Sequence, residues 1–281
     1  MKKTQSNKLL VMVKVYNEYE MLEDLVQTLM KQTFRPAKVS IIDDGSPKPE
    51  VAEEVKKLAS KYPLLNIEIL RLPLKEKPNL DTVGRTYRSA WLKEKGNHEI
   101  KYVGIIDADT RLESRYYERI IERMERDRKI SCASGSIIVQ GRLEKINIGA
   151  KFGRKDARGS GKVIRASFLR QIEDSDFPEV DWDTWINTKA KCRKMKAIEI
   201  EETYMIQERP TSRVAKKDLY RNGRLTYHFG YNPILLLLKA LLAGLGGGEI
   251  LKGYLNARKS KWRLRDKEVR EYFGWKFFHH F

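Results

Sequence analysis

An α/β fold with a mostly parallel sheet is the class this sequence predicts, and three observations predict it. Between residues 9 and 124, short apolar runs alternate with segments whose apolar residues recur at helical spacing. Strands alternating with helices of this size build β-α-β units. The run Tyr102-Val-Gly-Ile-Ile-Asp107-Ala-Asp109 ends in two carboxylates spaced two apart. Ile41-Ile-Asp43-Asp44-Gly45-Ser46 is a second apolar run that ends in acids. The carboxyl ends of strands are where open α/β sheets hold their ligands.

Each element follows from its own residues. Residues 9–15 read as a strand, and Met21, Leu22, Leu25, Val26 and Leu29 mark a helix with Asn17 as its cap. Residues 39–42 read as a strand, 51–58 as a helix, 66–71 as a strand, 82–94 as a helix and 101–106 as a strand. Tyr116, Ile120, Ile121 and Met124 mark the next helix, expected to start near Ser114. Beyond it the text is less regular. Residues 136–140 read as a strand, 149–161 as a loop, 182–194 as a helix and 197–200 as a strand. Near Thr226 the composition changes to a Leu-rich segment, a glycine hinge at 244–248, and a basic, aromatic end.

The composition sets bounds. At 281 residues with 41% hydrophobic content, the chain suffices for one large domain or two small ones. The net charge of +18 favours phosphorylated substrates, nucleic acid or an anionic membrane surface. Cys132 and Cys192 form no C-x-x-C spacing, which fits a reduced, cytoplasmic setting. The N-terminus does not read as a signal peptide, since its apolar run is short and carries Lys14. Residues 233–245 are too few to span a bilayer, and they include Lys239.

Two carboxylates at a strand end suit a hard divalent cation, because magnesium takes one or two protein carboxylates and fills its shell with phosphate oxygens. Taken alone, Asp107 and Asp109 equally fit turn residues ahead of a helix. The wider pattern narrows this. Val15-Tyr-Asn-Glu18, Lys31-Gln-Thr33 and Asp43-Asp44-Gly45-Ser46, with Asp107-Ala-Asp109 about sixty residues later, resemble the opening of the family 2 inverting glycosyltransferases. The resemblance covers roughly residues 8–235.

That resemblance implies a GT-A type, Rossmann-like sheet flanked by helices. Residues 1–225 would form the catalytic domain and 226–281 an amphipathic helical extension. It implies a UDP- or GDP-linked sugar donor, with Mg²⁺ or Mn²⁺ held by Asp107 and Asp109. Tyr16 and Glu18 would line the base and ribose pocket, and Asp43 would accept from the base ring N–H with Asp44 beside it. Arg85 or Arg88 would meet the diphosphate, although each equally suits a solvated helix face. Gly159-Ser-Gly161-Lys-Val-Ile-Arg165 resembles the small-residue loop before the acceptor region, with a plain hairpin as the competing reading. In Glu179-Val-Asp181-Trp-Asp183 the catalytic base maps onto Asp181, with Asp183 second and Glu179 third. The same acids suit a helix N-terminus. Gln207-Glu-Arg209 and Ser212-Arg213 fall where the family has a mobile segment, and Arg213 or Lys217 would assist the leaving group. His228 reads as structural.

Three departures stand out. Lys14 replaces the family's proline, with an expected change in the strand-to-loop transition and none in the chemistry. Pro47-Lys-Pro49 replaces Thr-Asp-x-Thr, and Val180 replaces a glutamate. Residues 226–281 hold ten Lys or Arg against four Asp or Glu. With their leucines and aromatics they suit the inner face of a membrane, or else a packing layer. The acceptor hydroxyl or phosphate would then belong to a lipid-linked glycan, a polysaccharide or a polyprenyl phosphate. Nucleic-acid binding rests on charge alone and leaves the strand-end acids unexplained. A nucleotidyltransferase would carry a Gly-rich phosphate signature near its first strand, and a dehydrogenase a G-x-G-x-x-G. Neither is present.

Overall fold

The structure, a computed structural model, describes residues 8–75, 83–139, 142–143, 156–207 and 216–274. The chain forms two compact units, one of residues 1–174 and 179–210, the other of 175–178 and 211–281.

The first unit runs β1 (Leu9–Val15), α1 (Leu22–Met30), β2 (Lys38–Asp43), α2 (Glu50–Lys61), β3 (Ile67–Arg71), α3 (Val83–Glu94) and β4 (Tyr102–Asp107). It continues with β5 (Thr110–Leu112), α4 (Tyr116–Arg126), β6 (Ile130–Val139), β7 (Arg142–Leu143), β8 (Lys162–Arg165), α5 (Ala166–Arg170), α6 (Trp182–Cys192) and β9 (Lys196–Gln207). The sheet order is β3-β2-β1-β4-β8-β6-β9-β5, with β7 beside β6. β1 pairs parallel with β2 and β4, and β2 with β3. β8 enters antiparallel between β4 and β6. β6 and β9 are parallel, and β5 runs antiparallel to β9. The sheet is therefore parallel over its first four strands and mixed beyond them.

β1 is apolar from Leu9 to Val13, all buried, because helices cover both faces of this half. α1 turns Leu22, Leu25, Val26 and Leu29 inward, and α4 turns Tyr116, Tyr117, Ile120, Ile121 and Met124 inward. Asn17 is not the cap of α1. It adopts φ 60°, a 3-10 turn (Tyr19–Met21) follows, and Met21 precedes the helix. β6 begins six residues before the expected strand, because Ser131, Ser134, Gly135 and Ser136 thin its apolar signal. β9 extends to Gln207 through Glu199, Glu201 and Glu202, which masked it in the same way. Cys132 lies in the core on β6, where burial pushes its thiol up, while Cys192 is half-buried at the end of α6.

The second unit holds α7 (Lys216–His228), α8 (Pro233–Leu242), α9 (Gly247–Lys259) and α10 (Lys267–Gly274). α7 and α9 approach through small residues. A Cβ on Gly223 would stand 1.9 Å from the Ile250 carbonyl oxygen, and one on Gly253 2.0 Å from that of Tyr220. His228 packs its ring 4.2 Å from Trp262, so its role here is in the core. The Asn232 side chain caps α8 by accepting from Ile234 N at 2.9 Å. Among the described residues no helix is long and apolar enough to cross a membrane.

Candidate active site

Parallel pairing brings β1, β2 and β4 to a common edge. Register sets Val15 beside Asp43 and Lys14 beside Asp107. Beyond Asp43 the chain must turn sharply. Gly45 takes φ +82°, and a Cβ there would lie 2.2 Å from the Pro73 carbonyl oxygen. Asp43 is fully buried; its Oδ1 accepts from Ser46 N at 2.8 Å and its Oδ2 from Arg71 Nε at 3.0 Å. Asp44, also buried, accepts from Thr86 Oγ1 at 2.8 Å and from Lys75, with Lys14 Nζ 3.9 Å away. Asn17 N donates to Ser46 Oγ at 2.8 Å, and Tyr16 Oη donates to the Lys75 carbonyl at 3.1 Å. The loops after β1 and β2 thus hold one another in place.

Asp107 ends β4, and Asp109 sits in the tight turn into β5. They do not cap a helix. α4 begins at Tyr116, behind Arg115, whose side chain makes no cap bond. Asp107 keeps some accessible surface, yet its surroundings push its carboxyl up to about 6, first through burial and then through the Asp109 charge. Glu18 adds to the rise, while Lys14 and Ser160 oppose it. Asp107 N donates to Ser160 Oγ at 3.0 Å, and Ser160 and Thr110 share a hydroxyl bond of 3.0 Å.

Ser160 belongs to the loop that faces α6. A Cβ on Gly159 would lie 3.3 Å from Asp183 Oδ2, so Asp183 stands over the same loop that holds Asp107. Lys162 is fully buried and donates to the Asp183 carbonyl at 3.1 Å and to Asn187 Oδ1 at 2.8 Å. Burial lowers its pKa, against the charges of Asp183, Cys132, Asp156 and Asp181. Asp181 precedes α6 with φ 51° and ψ 45°, a left-handed conformation that costs a non-glycine residue and clusters at functional sites. Its side chain makes no cap bond, while its carbonyl accepts from Trp185 N at 3.1 Å. The first turn of α3 grips this segment, with Gly84 N and Arg85 N donating to the Glu179 carbonyl at 2.8 and 3.2 Å.

One side chain reports how these pieces converge. The Tyr87 hydroxyl is pushed well above its ordinary value by burial and then by Asp107, Asp183 and Asp44. Acids from three separate segments are therefore within electrostatic reach of it. Asp43, Asp44, Asp107 and Asp109 lie at or just past the ends of neighbouring strands, Tyr16 and Glu18 follow β1, and Asp181 and Asp183 lie at the start of α6. Arg85 is exposed on α3, and Arg88 is half-buried one turn on with its Nε unbonded among the described residues. Glu179 turns its side chain to solvent. Gln207 is the buried last residue of β9, paired with Thr110. Glu208, Arg209, Ser212, Arg213 and the side chain of Lys217 lie outside the described residues. Sequence reasoning missed Thr86, Tyr87, Ser160 and Lys162, and it set Lys14 aside. Lys14 carried a signal, since a cation in place of proline on the strand between two acid-ended neighbours must meet their charges.

Among described residues, no group of three or more His, Cys, Asp or Glu gathers to hold a metal alone. A parallel α/β edge with paired acids on neighbouring strands, extended by an antiparallel segment, is the GT-A class of sugar transferase fold. The model of Glycosyl transferase family 2 matches residues 10–171, more than half the chain, and the chain belongs to that family. It is a glycosyltransferase enzyme. No curated protein matches the sequence. Among solved structures, the chain is similar to mannosyltransferase PcManGT from Pyrobaculum calidifontis in complex with GDP-Man and Mn²⁺, at 17% identity and TM-score 0.64. That match covers 91% of this chain and 76% of the other. S. aureus TarS 1-349 in complex with UDP-GlcNAc matches at 18% identity and TM-score 0.55, covering 90% and 73%. GalNAc-T7 with UDP, GalNAc and Mn²⁺ matches at 14% and TM-score 0.60, covering 81% of this chain and 49% of that one. At these identities the likeness shows the fold.

Proposed function

We propose that this enzyme moves a sugar from a nucleoside diphosphate sugar to an acceptor hydroxyl with inversion, using a divalent cation. The observation that carries the reading is the placing of Asp43 and Asp107 at the common edge of β1, β2 and β4, with Asp183 over the loop that binds Asp107. GDP-Man, UDP-GlcNAc and UDP, bound in structures of like fold, support a UDP- or GDP-linked donor.

The residues fit a hard cation. Asp107 and Asp109 offer carboxylate oxygens only, and the Asp109 charge disfavours that of Asp107, which a cation held by both would offset. Two protein carboxylates leave the rest of a Mg²⁺ or Mn²⁺ shell to phosphate oxygens. When bound, the ion supplies Lewis-acid neutralisation of the leaving diphosphate. Tyr16 and Glu18 flank the nucleoside. Asp43 is acceptor-only and keeps lone pairs for a base N–H beyond the two bonds it already accepts. Arg85, Arg88 and Arg213 are the arginines assigned to the phosphates. Asp181 takes the acceptor proton as the new oxygen–carbon bond forms and the bond to diphosphate breaks from the opposite face. A single carboxylate on the acceptor side implies inversion. One observation favours Asp183 as a second reading for the base: it lies against Gly159, beside the loop that binds Asp107. The acceptor is a glycan or a lipid-linked sugar.

Thermal shifts with GDP- and UDP-sugars, with and without Mn²⁺, test the donor and the metal together. A donor at about a hundred times its Kd adds about 2.7 kcal/mol of stability, and only in the presence of metal. Asp109→Ala removes that shift. An equal shift in wild type and Asp109→Ala rejects the reading.

A further inference from the structure

We propose that the outer face of α8 and the cations that follow it seat this protein on an anionic phospholipid surface. Ile234, Leu237, Leu238, Leu241, Leu242 and Leu245 are all exposed, from 46% at Leu238 to 109% at Leu245. Their spacing of three and four puts them on one side of the helix. The opposite side is the buried one, through Leu236 and Ala240. Leu255, 59% exposed on α9, adds to the apolar area. A stripe of this size on the outside of a folded unit marks an interaction site.

The chemistry of the partner follows from charge. Residues 233–245 contain no acid. Beyond them Arg258, Lys259, Lys261 and Arg265 are exposed, and none makes an ion pair among the described residues. Residues 216–274 hold thirteen Lys or Arg against five Asp or Glu. Leucines that enter the acyl boundary, flanked by cations that meet anionic headgroups, match a bilayer surface on both counts. A second copy of this chain matches only the first, because a pair formed through this face would bring two basic surfaces together. α8 is ten residues long, so it lies along the membrane plane and does not cross it. This inference stands independently of the base, donor and metal assignments.

Co-sedimentation of the full chain with vesicles tests it, using phosphatidylcholine alone and phosphatidylcholine with about one quarter phosphatidylglycerol. Wild type is expected to bind the anionic vesicles, and raised salt is expected to weaken that binding. The triple variant Leu237→Ser, Leu241→Ser, Leu242→Ser is expected to bind about tenfold or more weakly, since each side chain forfeits apolar burial. Its thermal midpoint and donor-binding shift should match wild type, because none of the three is buried and none is assigned to the donor or the metal. A second variant, Arg258→Ser with Lys259→Ser and Lys261→Ser, should lose the preference for anionic vesicles and keep residual binding to both. Equal partitioning of wild type and the leucine variant overturns the proposal. So does a wild-type dimer that the leucine variant dissociates and that vesicles leave intact.

Discussion

The two halves of the sheet hold their functional residues by different means. In the parallel half, position follows from backbone register. β1, β2 and β4 run side by side, so their last residues share an edge, and Lys14, Asp43 and Asp107 meet there. In the mixed half, single buried polar side chains do that work. Tyr116 Oη donates to the Gly161 carbonyl at 2.8 Å and accepts from Gly135 N at 2.8 Å, pinning β6 and the loop before β8 at once. Lys162 holds the start of α6 through Asp183 and Asn187. Substitutions on the parallel edge should therefore act on donor and metal binding and leave the fold standing. Substitutions in the mixed half should act on geometry, turnover and stability.

The largest expected effect tests the division at its functional end. Asp181→Asn should lower kcat by about 10²–10⁴-fold, with the metal-dependent donor shift kept. Asp183→Asn should cost much less; if it alone collapses turnover, the base is Asp183. Next comes Gly161→Ala. Gly161 has φ +66°, and a Cβ there would stand 2.4 Å from Tyr116 Oη and 2.5 Å from the Met205 sulfur. We expect a loss of about 2–3 kcal/mol by urea unfolding, from overpacking and backbone strain together. A loss that small substitutions on the parallel edge reproduce would blur the contrast.

Lys162→Met should change stability by about 1–2 kcal/mol and mainly alter its dependence on pH. Burial lowers the Lys162 pKa, so below the ordinary lysine range the unfolded chain binds more protons than the folded one. Wild-type stability should thus rise as pH climbs toward that range, and the variant should lose this slope. Thr86→Val is the smallest, at about 1 kcal/mol, through its bond to Asp44. Donor affinity should fall with it, because Asp44 belongs to the rim.

The same contrast explains what could be read beforehand. Apolar runs ending in Asp43 and Asp107 are strong local text, and strand-end placement follows from fold class. The acids at the start of α6 were legible because Glu179, Asp181 and Asp183 alternate along a recognisable segment. The first half of β6 was not, since serines packed in a core resemble loop residues, and β8 and α5, of four and five residues, are too short to show a period. Lys162 was invisible for another reason: a lysine in a short strand reads as surface until coordinates reveal the carbonyl and amide that receive its protons. Tyr87 likewise looked like one more residue on a helix. Lys14 was noticed as a substitution, but its ion pair with Asp44 and its influence on Asp107 depend on pairing that only the sheet order supplies.

The two thiols are placed to act as paired clocks. Cys132 is sealed within the mixed half of the sheet, with its proton held more tightly by burial, and Cys192 lies nearer solvent. Alkylating reagents need a thiolate they can touch. Cys192 should label at the pace of local fluctuation in α6, whereas Cys132 should wait for β6 to part from its neighbours. The ratio of the two labelling rates, followed by mass spectrometry with and without donor and metal, would measure how far ligand capture at one edge tightens strands that never touch it.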